Sequence, residues 1–91
     1  MTTRQEILDL VACYTETQFA QQPFSPGVAS IPASGKVIGK DELVTLVDAA
    51  LDGWLTSGRY NELFEKNLGD YIGVSHVLTT NSGSSANLLA I

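Results

Sequence analysis

This sequence holds one cysteine and one histidine. Cys13 has no second thiol for an internal disulfide or a zinc cluster, and His76 has no companion for a histidine-rich metal site. Basic residues are scarce too. Five Lys and Arg stand against ten Asp and Glu, giving a formal net charge of −5. That balance argues against nucleic acid or an anionic membrane as the main partner. It leaves room for a local anion site, because backbone N–H groups can bind an anion without any basic residue. No apolar run reaches the roughly 18 residues that a membrane span needs. The first apolar stretch is interrupted by Asp9, so no signal peptide is predicted and a cytoplasmic location is expected.

What is present reads as globular. Of 91 residues, 44% are hydrophobic and 16% charged, which is too apolar for a disordered chain. Residues 1–20 read as an amphipathic helix, with Ile7, Leu8, Val11 and Tyr14 on one stripe. Thr3 and Glu6 have the spacing of a capping box at its start. Residues 21–40 hold all three prolines and three glycines, and are predicted to be an extended arm with turns at Pro26-Gly27 and Ser34-Gly35. Phe24, Val28, Ile31 and Val37 suit an arm that packs on a second subunit. From residue 41 a larger domain is expected to begin. Its first helix spans 41–53, with Leu43, Leu46, Val47, Ala50 and Leu51 inward and Gly53 at its end. The next runs from about Glu62 to Ile72, capped by Asn61 and ended by Gly73. Residues 74–80, V-S-H-V-L-T-T, are a strand candidate. A last helix is expected to open near Ser84 or Ser85.

Helix, glycine turn and strand in that order point to an α/β protein. A lone strand makes no sheet, and residues 1–91 offer no convincing second one. The chain therefore reads as the opening part of a larger α/β domain, mostly helical by itself.

Two stretches are candidate sites. In N-S-G-S-S, residues 81–85, Gly83 can turn strand into helix, and the N–H groups of Ser84, Ser85 and Ala86 then face the strand end. The positive helix terminus and the hydroxyls of Ser82, Ser84 and Ser85 would suit a phosphate. An ordinary serine-capped helix would be written the same way. The stretch matches neither the Walker loop nor the dinucleotide G-x-G-x-x-G, and it lacks the G-x-S-x-G frame of a nucleophilic serine. The second stretch is Thr56-Ser57-Gly58-Arg59-Tyr60, where Arg59 could clamp a phosphate or carboxylate, or pair with an acid. Trp54 beside it reads as a packing anchor. Glu62, Glu65 and Asp70 read as the wet face of their helix. No paired carboxylates or metal-ligand spacing is found.

Three runs carry a resemblance. They are S-G-K-V-I-G-K-D-E-L, then L-D-G-W-L-T-S-G-R-Y-N-E-L-F-E-K-N-L-G-D-Y-I-G-V, then V-L-T-T-N-S-G-S-S-A-N-L-L-A. Together they resemble the start of DegT/DnrJ/EryC1/StrS enzymes, within the fold type I (aspartate aminotransferase-like) PLP group. Residues 34–36 and 56–59 narrow the likeness toward the sugar-nucleotide 3-dehydrases of that group. The resemblance implies an N-terminal fragment, roughly the first fifth of a dimeric enzyme with a mostly parallel sheet. Gly83, Ser84 and Ser85 would cup the phosphate of pyridoxamine or pyridoxal 5′-phosphate. Thr56, Gly58, Arg59 and Tyr60 would line the pocket for CDP-4-keto-6-deoxy-glucose. The implied reaction is C3 deoxygenation for O-antigen dideoxysugars, with a histidine as base and a [2Fe–2S] cluster fed by a flavin iron–sulfur reductase. Neither His76 nor Cys13 stands in for those groups, so no catalytic or metal-ligating residue is assigned and the 91 residues alone are expected to be inactive. A fragment of a PLP-dependent nucleotide-sugar aminotransferase is the alternative within the group. A small non-enzymatic helical interaction protein is the alternative outside it.

Overall fold

The computed structural model describes residues 1–91. It holds four helices in chain order: α1 (Arg4–Gln18), α2 (Lys40–Leu51), α3 (Arg59–Ile72) and α4 (Gly83–Ala90). No residue lies in a strand. The chain divides into two compact units, Met1–Gly53 and Trp54–Ile91.

In the first unit α1 packs along α2. Helix α1 opens as its sequence predicts. The Thr3 hydroxyl accepts from the Glu6 N–H at 3.2 Å, and the Glu6 carboxylate accepts from the Thr3 N–H at 2.8 Å. Two donors that the first turn would otherwise leave unmet are satisfied reciprocally. Ile7, Leu8 and Val11 on α1 and Leu43, Val44 and Val47 on α2 are half-buried. Tyr14 and Leu46, predicted on the same stripes, remain exposed. Thr15 is the one buried side chain, its hydroxyl donating to the Val11 carbonyl at 2.7 Å.

The two helices are also joined by charge. The Arg4 guanidinium reaches Asp48 on α2 and Asp52 at its C-cap at 2.6 Å each. Lys40, at the start of α2, pairs with Glu16 on α1 at 3.1 Å. Their hydrogen-bonded carboxylates hold both cations above their ordinary pKa values. Between the helices the proline-rich arm is non-helical, with a turn in which Val28 and Ala29 N–H both donate to the Ser25 carbonyl. Phe24, Val28, Ile31 and Val37 on this arm are exposed.

Helix α2 begins at Lys40, one residue before the predicted start. Gly39 supplies the extended N-cap, and its N–H donates to the Glu42 carboxylate at 2.7 Å. That bond is the main reason the Glu42 carboxyl sits below its usual pKa. Beyond its C-terminus Gly53 adopts a left-handed φ of 68°, as expected for a helix-ending glycine.

In the second unit α3 starts at Arg59 rather than Glu62, and Gly58 rather than Asn61 is its N-cap. Asn61 lies inside the helix, where its side chain serves a longer-range contact described below. At the other end Gly73 takes φ 76° and ψ 35°. The N–H groups of Gly73 and Val74 converge on the Gly69 carbonyl at 2.9 and 3.0 Å, a Schellman-type stop. Residues 74–80 then form an extended segment with no strand partner among residues 1–91. The strand expected there is not formed, because its ladder needs a second strand. The segment lies against α3 instead. A Cβ on Gly69 would sit 3.1 Å from the Val74 carbonyl oxygen and 3.4 Å from Val77. Glycine at 69 is thus what lets the segment approach.

No hydrophobic side chain is fully buried. Trp54, Phe64, Tyr71, Leu78, Leu88 and Leu89 all present more than half of their surface.

Candidate functional site

The opening of α4 is built from its own serines. Ser82 is the N-cap, extended at φ −163° and ψ 162°. Its hydroxyl accepts the Ser85 N–H at 3.1 Å and lies 3.1 Å from the Ser85 hydroxyl. The Ser85 hydroxyl in turn donates to the Asn81 side-chain oxygen at 2.6 Å. The Ser82 carbonyl accepts the Ala86 N–H at 3.1 Å and the Thr80 hydroxyl at 2.9 Å. The turn is therefore locked from residue 80 to residue 86 by short local bonds.

This geometry changes which donors are offered. The sequence pointed to the N–H groups of Ser84, Ser85 and Ala86. The helix instead begins at Gly83, so those of Ser85 and Ala86 are taken by Ser82. The N–H groups of Gly83 and Ser84, with the Ser84 hydroxyl, make no bond within the chain. Two adjacent N–H donors at a positive helix end, beside an exposed hydroxyl, fit the donor set of a phosphate. Ser85 is half-buried and its N–H and hydroxyl are both engaged. It shapes the turn. Gly83 does not use a left-handed conformation, and a Cβ there would meet nothing within 4 Å.

Thr56, Gly58, Arg59 and Tyr60 lead into α3. The Trp54 indole N–H donates to the Ser57 carbonyl at 2.9 Å, and a Cβ on Gly58 would lie 3.5 Å from the Trp54 ring. Trp54, exposed over about two thirds of its surface (67%), folds onto the turn in front of α3 and not into a core. The Arg59 guanidinium stacks over the Tyr60 ring, 4.4 Å from its centroid. This stacking was not foreseen from the sequence, though adjacency of the two side chains was its one signal.

Sequence reasoning also missed Glu65. Placed on the wet face of α3, it is in fact the anchor of the segment leading to α4. One of its oxygens accepts the Thr79 N–H at 3.0 Å, the Thr79 hydroxyl at 2.9 Å and the Asn61 amide at 3.2 Å. The Thr79 hydroxyl also donates to the Asn61 side-chain oxygen at 2.7 Å. These bonds, the Thr79 N–H first, pull the Glu65 carboxyl below its usual pKa. Beside it, Glu62, Glu65, Lys66 and residues 75–78 line an open cleft of about 350 Å³. Lys66 is paired along the helix with Asp70 at 2.8 Å.

The residues present do not fit an iron–sulfur cluster, which takes several thiolates, because Cys13 is alone and exposed. No group of three or more His, Cys, Asp or Glu side chains is arranged to hold a metal ion. No helix is long and apolar enough to cross a membrane.

Comparison with known proteins adds to this geometry. The family model described as the DegT/DnrJ/EryC1/StrS aminotransferase family matches residues 36–91, a span that includes both candidate stretches. The chain is 58% identical over 88 residues to the lipopolysaccharide biosynthesis protein RfbH of Salmonella typhimurium, covering 97% of this chain and 20% of that protein. It is 40% identical over 68 residues to the dTDP-4-dehydro-2,6-dideoxy-D-glucose 3-dehydratase of Saccharopolyspora spinosa, covering 75% of this chain and 15% of that protein. Over 61 residues it is 33% identical to the spore coat polysaccharide biosynthesis protein SpsC of Bacillus subtilis, covering 67% of this chain and 16% of that protein. The chain thus spans a fifth or less of the length of these relatives. With the family model covering more than half of its residues, the chain belongs to the DegT/DnrJ/EryC1/StrS aminotransferase family, of the fold type I PLP superfamily.

Proposed function

We propose that these 91 residues are the N-terminal part of a pyridoxamine-phosphate-dependent sugar-nucleotide 3-dehydrase, and that α4 holds the cofactor phosphate. The observation that carries this reading is the pair of unengaged N–H groups on Gly83 and Ser84, at a serine-rich helix start inside the family match. The likeness to a named 3-dehydratase and to a lipopolysaccharide biosynthesis protein supports the reaction class. The substrate proposed is CDP-4-keto-6-deoxy-glucose, turned over in a cytoplasmic homodimer supplied by a flavin iron–sulfur reductase.

When bound, the cofactor supplies an amine to engage the sugar ketone and a ring to accept electrons. The chain's own residues hold it. Gly83 and Ser84 N–H donate to phosphate oxygens, and the Ser84 hydroxyl adds a third donor. The N-terminal dipole of α4 favours the dianion. Ser82 and Ser85 fix the turn so that these donors need no rearrangement. Arg59, stacked over Tyr60, meets the sugar nucleotide in this reading, with Thr56 and Gly58 on the same turn. Neither His76 nor Cys13 is assigned a part in proton transfer or in a cluster, so the role proposed for these residues is to hold the phosphate.

The family description also names aminotransferases, so the experiment must bear on both chemistries. In a chimera, residues 1–91 replace the matching segment of the Salmonella relative, and cofactor binding and turnover are compared with those of the intact relative. The chimera is expected to bind the cofactor and to keep the relative's turnover. A chimera that binds the cofactor but loses turnover would count against the dehydrase reading and favour the aminotransferase one. A chimera that binds no cofactor would remove both.

A further inference from the structure

The family likeness says nothing of how the start of α4 is held in place, yet the structure contains one specific device for it. Residues 74–82 have no strand partner, and beyond the Val74 N–H bond to the Gly69 carbonyl their polar tie to α3 runs through Thr79. One oxygen of Glu65 accepts the Thr79 N–H and shares the Thr79 hydroxyl hydrogen with the Asn61 side-chain oxygen, and the Asn61 amide braces that carboxylate from the preceding turn of α3. Three residues after Thr79 comes the Ser82 cap, and the Thr80 hydroxyl between them is bonded to the Ser82 carbonyl. The path from Glu65 to the Gly83 and Ser84 donors is short and has no unbonded residue that could absorb a shift.

We infer that Glu65, braced by Asn61, is a positioning residue that sets the place of the α4 donors through Thr79. A carboxylate suits the task better than an amide. It accepts several hydrogen bonds at one oxygen without a choice of rotamer, and bonds to a charged acceptor are about twice as strong as neutral ones. Aspartate would be shorter by one methylene and would not reach Thr79. The consequence for phosphate binding rests on the function proposed above. The positioning itself does not.

Two arms of one NMR experiment test it, on the chimera in which residues 1–91 alone are 13C- and 15N-labelled. The first follows amide shifts while pH falls. The titratable neighbours of Glu65 in the cleft are Glu62, Lys66 and His76, and each is followed by its own side-chain signal. The Thr79 amide should move with a midpoint below the usual glutamate value of about 4.3. The Gly83 and Ser84 amides should move with that same midpoint. Glu65→Gln should abolish the step at all three, and Thr79→Ser, which keeps both donors, should retain it. Flat Gly83 and Ser84 shifts would overturn the inference. So would a step that persists in Glu65→Gln, or one that coincides with loss of circular dichroism across the whole chain.

The second arm adds inorganic phosphate at neutral pH. Phosphate should shift Gly83 and Ser84 in the wild-type chain, with about threefold weaker affinity in Glu65→Gln, since loss of one charge-assisted bond at a distance weakens binding by a fraction of its full value. Equal affinity in the two chains would overturn the positioning inference and leave the phosphate reading standing. No wild-type response would count against the phosphate reading instead, with the positioning decided by the pH arm.

Discussion

Alanine at Gly73 and alanine at Gly83 should have opposite effects, although both glycines border a helix. At Gly73 the backbone is left-handed, with φ 76°. A Cβ there is crowded against the following carbonyl at a cost of about 1–2 kcal/mol. Alanine also restricts the unfolded chain, which returns about 0.4–1 kcal/mol only where the native conformation suits it, and here it does not. The expected net loss is about 1 kcal/mol, roughly a fivefold increase in local opening. At Gly83 the φ is not positive and the space for a Cβ is empty within 4 Å. Gly83→Ala should therefore be neutral or stabilise α4 by up to about 1 kcal/mol. Amide hydrogen exchange reads both. In Gly73→Ala, exchange at residue 73 and Val74, which share the Gly69 carbonyl, should speed up about fivefold. In Gly83→Ala, exchange in α4 should be unchanged or slower. Unchanged protection at Val74 in the first variant, or a loss of α4 in the second, would refute the backbone argument.

Ser82→Ala should cost about 1 kcal/mol of α4 stability, the typical loss of a side-chain N-cap, read as faster exchange of the Ser85 amide. Acid should fray the start of α2. The Glu42 carboxyl is held below its usual pKa by the Gly39 N–H, so its contribution is complete above the unfolded value near 4.3 and is lost as pH falls through the lower folded value. Helicity followed from pH 6 downward should show that step, and Glu42→Gln should flatten it.

How much of this could be read from the sequence depends on how local each determinant is. The Thr3–Glu6 capping box and the stops at Gly53 and Gly73 involve residues a few positions apart, and they stand in the structure where the sequence puts them. The start of α3 was misplaced because its cap, Gly58, has no side chain to announce it. Asn61, a residue type that usually caps, was engaged by Thr79, 18 positions away. A separation of 14 positions from Thr79 hid the role of Glu65, which looks like any solvated helix acid until residues 74–80 fold back over α3. Arg4 met Asp48 and Asp52 from 44 and 48 positions away, beyond any periodicity argument. The strand at residues 74–80 was legible as extended backbone and not as pairing, because a ladder depends on a partner elsewhere. At the site, the sequence showed that serines open α4. It did not show that Ser82 would take the Ser85 donor and leave those of Gly83 and Ser84.

The account stands or falls on whether that helix start holds the cofactor phosphate. The direct measurement is equilibrium dialysis of pyridoxamine 5′-phosphate against the chimera carrying residues 1–91, compared with its Ser84→Ala variant and with unphosphorylated pyridoxamine. The account predicts that loss of the phosphate abolishes measurable binding. It also predicts that Ser84→Ala weakens the phosphorylated cofactor by about tenfold, the value of one hydrogen bond to a charged group. Equal affinity for the two vitamers, with Ser84→Ala silent, would contradict it.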